Sequence, residues 1–134
     1  MKWLVLLGVL ALTGCAGEPV SLVRDGAVAI ETSSSTAARI WWADVRLDGR
    51  ETVVVGEVIR HRDWPADRPG HIDIEVVALD GRPIGITHAE LDPVLTGSAD
   101  SRRLAFRVTL AKRLPPESIV RVSHQVQEST HGTS

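Results

Sequence analysis

The chain has 134 residues, of which 43% are hydrophobic, and a formal net charge of −2, which is enough chain for one domain with its own core. Its single cysteine excludes an intramolecular disulfide, so packing alone has to stabilise the fold. No basic block or stripe is present, which argues against nucleic acid as a partner.

The first fifteen residues have the pattern of a secretory signal. One basic residue, Lys2, precedes an apolar run over residues 3–12, and small residues follow up to Cys15. The run is too short to span a bilayer, which takes about 20 apolar residues. The last four residues, Leu-Thr-Gly-Cys at 12–15, resemble the lipobox of bacterial lipoproteins.

The lipobox resemblance implies cleavage just before Cys15 and acylation of that residue on its sulfur and its new amino group. Residues 1–14 are then a signal peptide, and residues 15–21 are the lipidated cysteine and a tether. Ala16, rather than Asp, follows the cysteine. By the enterobacterial sorting rule this implies a lipid anchor in the outer membrane, facing the periplasm. Other bacteria sort lipoproteins differently, so the inner membrane stays open as an alternative.

The pattern of residues 22–126 predicts one domain of seven strands. The polar composition of residues 127–134 predicts a disordered tail. An Asp-Gly pair between two apolar runs favours a hairpin with a type I′ turn, and such pairs occur at Asp48-Gly49 and Asp80-Gly81. The predicted strands are 22–31, interrupted at Asp25-Gly26, then 38–47, 51–61, 71–79, 83–91, 103–110 and 118–126.

Alternation predicts which side chains of these strands face the core. The inward-facing positions are Ile72, Ile74, Val76, Leu104, Phe106, Val108, Leu110, Val120, Val122 and Val126. The run 53–55 is continuous and β-branched, as in a central strand that is covered on both faces. Gly56 inside that strand indicates a bulge or a close neighbour.

Seven short strands with turn signals every 8 to 12 residues, and no helical periodicity, predict an all-β protein, an antiparallel seven-strand β-sandwich. The stretch 53–122 resembles fibronectin type III and FxLYD-like envelope domains. The resemblance is carried by Gly56, by the Phe-x-Val-x-Leu strand that starts at Phe106, and by the Pro115-Pro116 corner. It implies an immunoglobulin- or fibronectin III-like fold and no particular activity.

Three tryptophans of this domain are candidates for binding or packing. Trp41 and Trp42 are neighbours on a strand, so they are expected on opposite faces, with one of them in the core. The other is then exposed, as in many interface hot spots, or covered by neighbouring side chains. Trp64 lies in the proline-containing loop 62–70, where it caps the end of the sandwich or docks a partner.

The histidines are expected to gather at one end of the sandwich. If successive strands alternate in direction, the end distant from Cys15 holds four histidines together with Arg102 and Arg103. These histidines are His61, His71, His88 and His124. Imidazoles are common ligands of zinc and copper, so His61, His71 and His124 form a candidate metal site. The alternative is that they are separate, solvated side chains at strand ends.

The sequence lacks the motifs of common enzymes, including nucleophile elbows, phosphate-binding loops and zinc-protease helices. Asp73 and Glu75 share one strand face, which is either a carboxylate pair or a solvated face. We therefore expect no catalysis and no cofactor.

The favoured hypothesis is a lipid-anchored periplasmic module that binds an envelope protein or glycan, or assists assembly, through Trp64, Arg102 and Arg103. The alternative is a zinc- or copper-binding lipoprotein that uses the histidines.

Overall fold

A computed structural model of the protein describes residues 19–93 and 102–126. The described residues form eight strands and contain no helix that could cross a membrane. The strands are β1 Val20–Ser21, β2 Val28–Ser33, β3 Ala38–Asp48, β4 Glu51–Arg60, β5 His71–Val77, β6 Pro83–Glu90, β7 Arg103–Leu110 and β8 Ser118–Gln125. The predicted signal peptide, Cys15 and the predicted tail 127–134 lie outside the described residues.

The strands form two four-stranded sheets. The first sheet has the order β1-β3-β4-β7 and the second has the order β2-β8-β5-β6. The all-β, two-sheet architecture predicted from the sequence is therefore confirmed. The prediction of seven strands, all antiparallel, is wrong: the described residues form eight strands, and β2 pairs with β8 in parallel.

The extra strand arises because the predicted first strand is divided between the two sheets. β1 pairs with β3 in the first sheet, whereas β2 pairs with β8 in the second. Between them the chain turns at Gly26, which has a φ of 78°. That conformation is open to glycine at little cost, so the Asp25-Gly26 break directs the chain across the sandwich.

The first hairpin confirms the predicted position but corrects the predicted turn type. Asp48 pairs with Glu51, so Gly49 and Arg50 are the two turn residues. Gly49 has a φ of 66°, and Arg50 is not among the described residues with positive φ. A positive φ at the first turn position alone is the pattern of a type II′ turn, not of type I′.

The core lies between the sheets and includes most of the predicted inward-facing side chains. Val108 and Leu110 are only partly buried against it, and the prediction for Val126 is wrong, because β8 ends at Gln125 and Val126 lies outside the core cluster. The largest fully buried members of the core are Phe106, Ile72 and Ile74. Val53, Val54 and Val55 are all buried, which confirms that β4 is covered on both faces. The ring of Phe106 lies over Gly56, where an added Cβ would come within 2.4 Å of it, so Gly56 is the site of a close neighbour.

A β-bulge in β3 overturns the expectation that one of the two adjacent tryptophans is in the core. The register with β4 shifts between Ile40 and Trp42, leaving Trp41 as the extra residue. Both rings consequently lie on the outer face of the first sheet: Trp41 is 49% exposed, and Trp42 is half-buried beside Glu57.

The two ends of the sandwich differ. Val20 pairs with Leu47, so the first described strand lies beside the β3–β4 hairpin. The loop 61–70 lies at the other end of β4. β3 has 11 residues, which places these ends about 33 Å apart at the usual rise per residue. We call them the hairpin end and the loop end.

Candidate functional site

The loop end of the first sheet has a depression lined mainly by arginines. Its volume is about 430 Å³, and its charged lining residues are Arg39, Arg60, Arg62, Asp63 and Arg102. Among the described lining residues, four are arginines and one is an aspartate, so the described part of the lining carries mainly positive side chains. We call Arg39, Arg60, Arg62 and Arg102 the arginine pole.

Local structure explains why these arginines converge. Arg39 lies near the start of β3, and Arg60 ends β4. The Arg60 backbone N–H donates to the carbonyl of Arg102 at 2.8 Å, which brings the residue preceding β7 to the same edge. Neither Arg39 nor Arg62 forms an ion pair within residues 19–93 and 102–126, and both side chains are exposed, so their charges are available to a ligand.

Trp64 organises the loop beside the arginine pole. Its indole Nε1 donates to the carbonyl of Arg68 at 2.8 Å, and its own carbonyl accepts a hydrogen bond from the Arg60 guanidinium. The ring is half-buried. The described contacts of Trp64 therefore fold the loop.

Arg103, the third predicted binding residue, is committed to internal contacts. Its Nη2 donates to Glu57 Oε2 at 2.7 Å, and its guanidinium stacks 4.4 Å from the centre of the Trp41 ring. The same Glu57 oxygen accepts a 2.8 Å hydrogen bond from Trp42 Nε1. Arg103 therefore fixes the exposed Trp41 ring in place on the outer face of the first sheet.

Glu57 is ionised at the centre of these contacts. Burial alone would raise the pKa of its carboxyl, but the hydrogen bonds from Trp42 and Arg103, together with the Arg103 charge, lower the pKa below its ordinary value of 4.5. An ionised carboxylate in this position holds Trp42 and Arg103 against the sheet.

The predicted metal ligands His61, His71 and His124 occupy three different environments. His61 is exposed at the start of the loop 61–70. His124 is buried on the inner side of β8, where it pairs with Ile72. His71 lies on the outer face of the second sheet beside Gln125. Within the part of the chain that the structure describes, these three do not form a group of converging ligands.

Both ring nitrogens of His124 are used in contacts that close the loop end. Nε2 donates to the Pro69 carbonyl at 2.8 Å, which leaves Nδ1 to accept from the Ser35 hydroxyl at 2.8 Å. Gly70 packs directly on this ring, since an added Cβ would lie 2.9 Å from it. Burial lowers the pKa of His124 below 6.5 and the charge of nearby His71 adds to this, whereas the Pro69 contact raises it.

His71 instead converges with two residues outside the predicted metal set, Asp73 and His88. Asp73 Oδ1 lies 3.0 Å from His71 Nε2 and 2.5 Å from His88 Nδ1. One potential ligand atom from each of the three residues lies within 4.8 Å of the others. A sequence signal exists for part of this cluster, because His71 and Asp73 share a strand face. The pairing of Asp73 with His88 depends on a register shift between Val76 and Val77, which the sequence pattern does not reveal.

A cleft between the edges of β6 and β7 is another concave feature of the described residues. It has a volume of about 330 Å³ and a largely apolar lining that includes Ile84, Leu110 and Leu114. Ligand sites combine apolar walls with a few convergent polar groups, and those groups are found at the arginine pole and around Asp73 instead.

No protein-family model matches the chain, and neither a curated protein nor a solved structure has detectable similarity to it.

Proposed function

We propose that the protein is a lipid-anchored β-sandwich of the bacterial envelope that binds an acidic partner, a protein or a glycan, through the arginine pole. The observation that carries the proposal is the convergence of Arg39, Arg60, Arg62 and Arg102 around one depression. Guanidinium groups suit carboxylates and phosphates because they present donors in a planar fork. The Trp41 ring, on the same outer face, offers a further hot-spot contact.

The position of the arginine pole suits an anchored binding protein. The first described strand, β1, lies at the hairpin end, whereas the arginine pole lies at the loop end. With the lipid in the membrane, the arginine pole faces the periplasm, where partners are accessible. Binding residues on loops at one end of a rigid scaffold are the usual arrangement in β-sandwich domains.

An immunoglobulin- or fibronectin III-like relationship belongs to the same proposal. A first strand that divides and pairs in parallel with the last strand supports it. The β3–β4 hairpin within one sheet differs from immunoglobulin domains, in which the second and third strands lie in opposite sheets.

Charge reversal tests the binding surface. The acylated protein is isolated from its native host with crosslinked partners, alongside an Arg39→Glu/Arg62→Glu variant. Arg24→Glu is the matched control, because Arg24 is exposed in the turn at the hairpin end. We expect the double variant to lose the partner, the control to retain it, and the wild-type complex to weaken at high salt because exposed charges are screened. Capture that is equal in all three proteins would contradict the proposal.

Acylation is tested separately. A fatty-acid probe fed to the native host should label the wild type and not Cys15→Ser. Two or three acyl chains hold a protein stably on a membrane, whereas one gives only marginal binding. A wild type without label would end the lipoprotein proposal and leave the charge-reversal result to be judged independently.

A further inference from the structure

The outer face of the second sheet carries a two-histidine, one-carboxylate cluster that the arginine-pole function does not use. His71 and Asp73 are two residues apart on β5, so their side chains share a face. Asp73 is directly paired with His88 on β6. Regular antiparallel pairing thus fixes all three side chains on one rigid surface, without a contribution from any loop.

The spacing of the ligand atoms is close to what a metal ion requires. Two ligands of a tetrahedral Zn²⁺, each about 2.0–2.1 Å from the metal, lie about 3.3 Å apart. The Asp73 oxygen lies 3.0 Å and 2.5 Å from the two imidazole nitrogens. Small rotations of these side chains would bring the three atoms to ligand distances. The rings meet edge to face with their centres 5.7 Å apart, which leaves both imidazoles free of stacking on each other.

The surroundings favour a cation that can enter and leave. The side chains of His71 and His88 are 43% and 63% exposed, so solvent reaches the cluster. Glu90 is the cross-strand neighbour of His71, which adds a second carboxylate to the same face. Three protein ligands with an open fourth position are the arrangement of zinc sites that exchange a water or another ligand, unlike closed structural sites.

We propose that His71, Asp73 and His88 form an exchangeable binding site for a late first-row divalent metal ion, with two imidazole nitrogens and one carboxylate oxygen as ligands. Imidazole ligands suit zinc, copper and nickel, and the usual affinity order puts Cu²⁺ above Zn²⁺ at such a site. The metal site is on the second sheet, whereas the strand residues of the arginine pole are on the first. The metal proposal can therefore be tested independently of the arginine-pole proposal.

Metal titration of the untagged full-length protein in detergent tests the site. Zn²⁺ binding is followed by calorimetry and by the NMR signals of the histidine rings, and Co²⁺ binding by its visible spectrum. We expect one ion per chain and shifts confined to the rings of His71 and His88. Absence of binding by Zn²⁺, Co²⁺ and Cu²⁺ would overturn the proposal.

Three variants identify the ligands. His88→Ala and Asp73→Asn should each weaken Zn²⁺ binding at least tenfold, since even residues that only support a metal ligand contribute 10- to 100-fold. His61→Ala is the matched control, because His61 is an exposed histidine outside the cluster, and it should bind as the wild type does. Unchanged binding in His88→Ala and Asp73→Asn, with circular dichroism showing both folded, would assign the metal to other residues and overturn the proposal.

Discussion

Glu57 links three side chains on the outer face of the first sheet. Its carboxylate accepts hydrogen bonds from Trp42 and Arg103, and Arg103 in turn holds the exposed Trp41. Removing one partner from such a buried pair leaves the other unsatisfied. One residue in the middle strand therefore positions both the aromatic and the cationic groups of this surface.

Glu57→Gln should destabilise the protein by about 1–3 kcal/mol, because Arg103 would keep its charge and lose its counterion. Urea unfolding at neutral pH measures this. Asp48→Asn is the matched control, since Asp48 also pairs with an arginine, Arg107, but in an exposed position, where a pair contributes about 0–1 kcal/mol. Equal effects in the two variants would contradict a special role of Glu57.

The Glu57 contribution should also depend on pH. Because its pKa is lower in the folded state than in the unfolded chain, the stabilisation is fully present above the ordinary value of 4.5 and is lost as the pH falls through the folded-state pKa. The wild type should therefore lose more stability on acidification from neutral pH than Glu57→Gln does.

His124 should make stability fall on acidification in a higher pH range. Its folded-state pKa is lowered, so below 6.5 the unfolded chain binds the proton more readily than the folded protein does. The stabilisation is fully present above 6.5 and decreases as the pH falls from there towards the folded-state pKa. His124→Gln should be less stable than the wild type at neutral pH. Its stability should also change less with pH between 6.5 and the lower folded-state pKa of His124. A wild-type pH dependence of stability in His124→Gln would contradict this assignment.

At the scale of the element, the pairing of β3 with β4 includes a β-bulge that shifts its register. The bulge at Trp41 shifts the register so that Ala43 lies opposite Gly56, and Phe106 of β7 lies opposite Gly56 on its other side. Gly56 has no side chain, so the Phe106 ring occupies the space above it. The bulge, the glycine and the phenylalanine thus form one packing unit across three strands.

Gly56→Ala should destabilise the protein by about 1–3 kcal/mol, the usual range for an overpacked core. The new Cβ would lie 2.4 Å both from the Phe106 ring and from the carbonyl oxygen of Trp42, and the backbone oxygen cannot rotate away. Gly85→Ala is the matched control, because Gly85 is also within a strand and a Cβ there meets nothing within 4 Å. Thermal unfolding measures the stability of both variants against the wild type. An unchanged unfolding temperature of Gly56→Ala would contradict the close packing of Phe106 on Gly56.

At the scale of the whole molecule, the sandwich has two structurally different ends. The chain arrives at the hairpin end through β1, whereas Trp64, the arginine pole and His124 are at the loop end, about 33 Å away along β3. Val20 is five residues after Cys15, and five residues span at most about 18 Å in a fully extended chain. If Cys15 carries the proposed lipid, the hairpin end is therefore the end nearer the membrane.

Paramagnetic lipids in nanodiscs test this orientation on the acylated protein. We expect strong broadening of the Gly49 and Gly81 amide signals, since both glycines are in turns at the hairpin end. The indole N–H signal of Trp64 should stay sharp. Equal broadening at both ends would contradict the two-ended arrangement and remove the argument that the arginine pole faces the periplasm.

The sequence by itself determined the positions of most strands, of the hairpin turns and of most inward-facing side chains. Alternation along 71–77 and 103–110 is a local property, because successive side chains of a strand point to opposite faces. The Asp-Gly pairs, which are also a local signal, predicted the turns at 48–49 and 80–81. The pairing of Asp73 with His88 is not local in this sense, because it depends on a register shift between Val76 and Val77 in the β5–β6 hairpin.

Only the tertiary structure decided which strands share a sheet and which side chains meet across it. The division of the first strand between two sheets and the parallel pairing of β2 with β8 depend on contacts between chain segments about 90 residues apart. The bulge that keeps Trp41 and Trp42 out of the core is set by the register of β3 with β4. The arginine pole forms where three segments of the chain meet. These features escape local patterns because register, sheet order and convergence are settled by the packing of distant residues, whereas alternation is settled by neighbours.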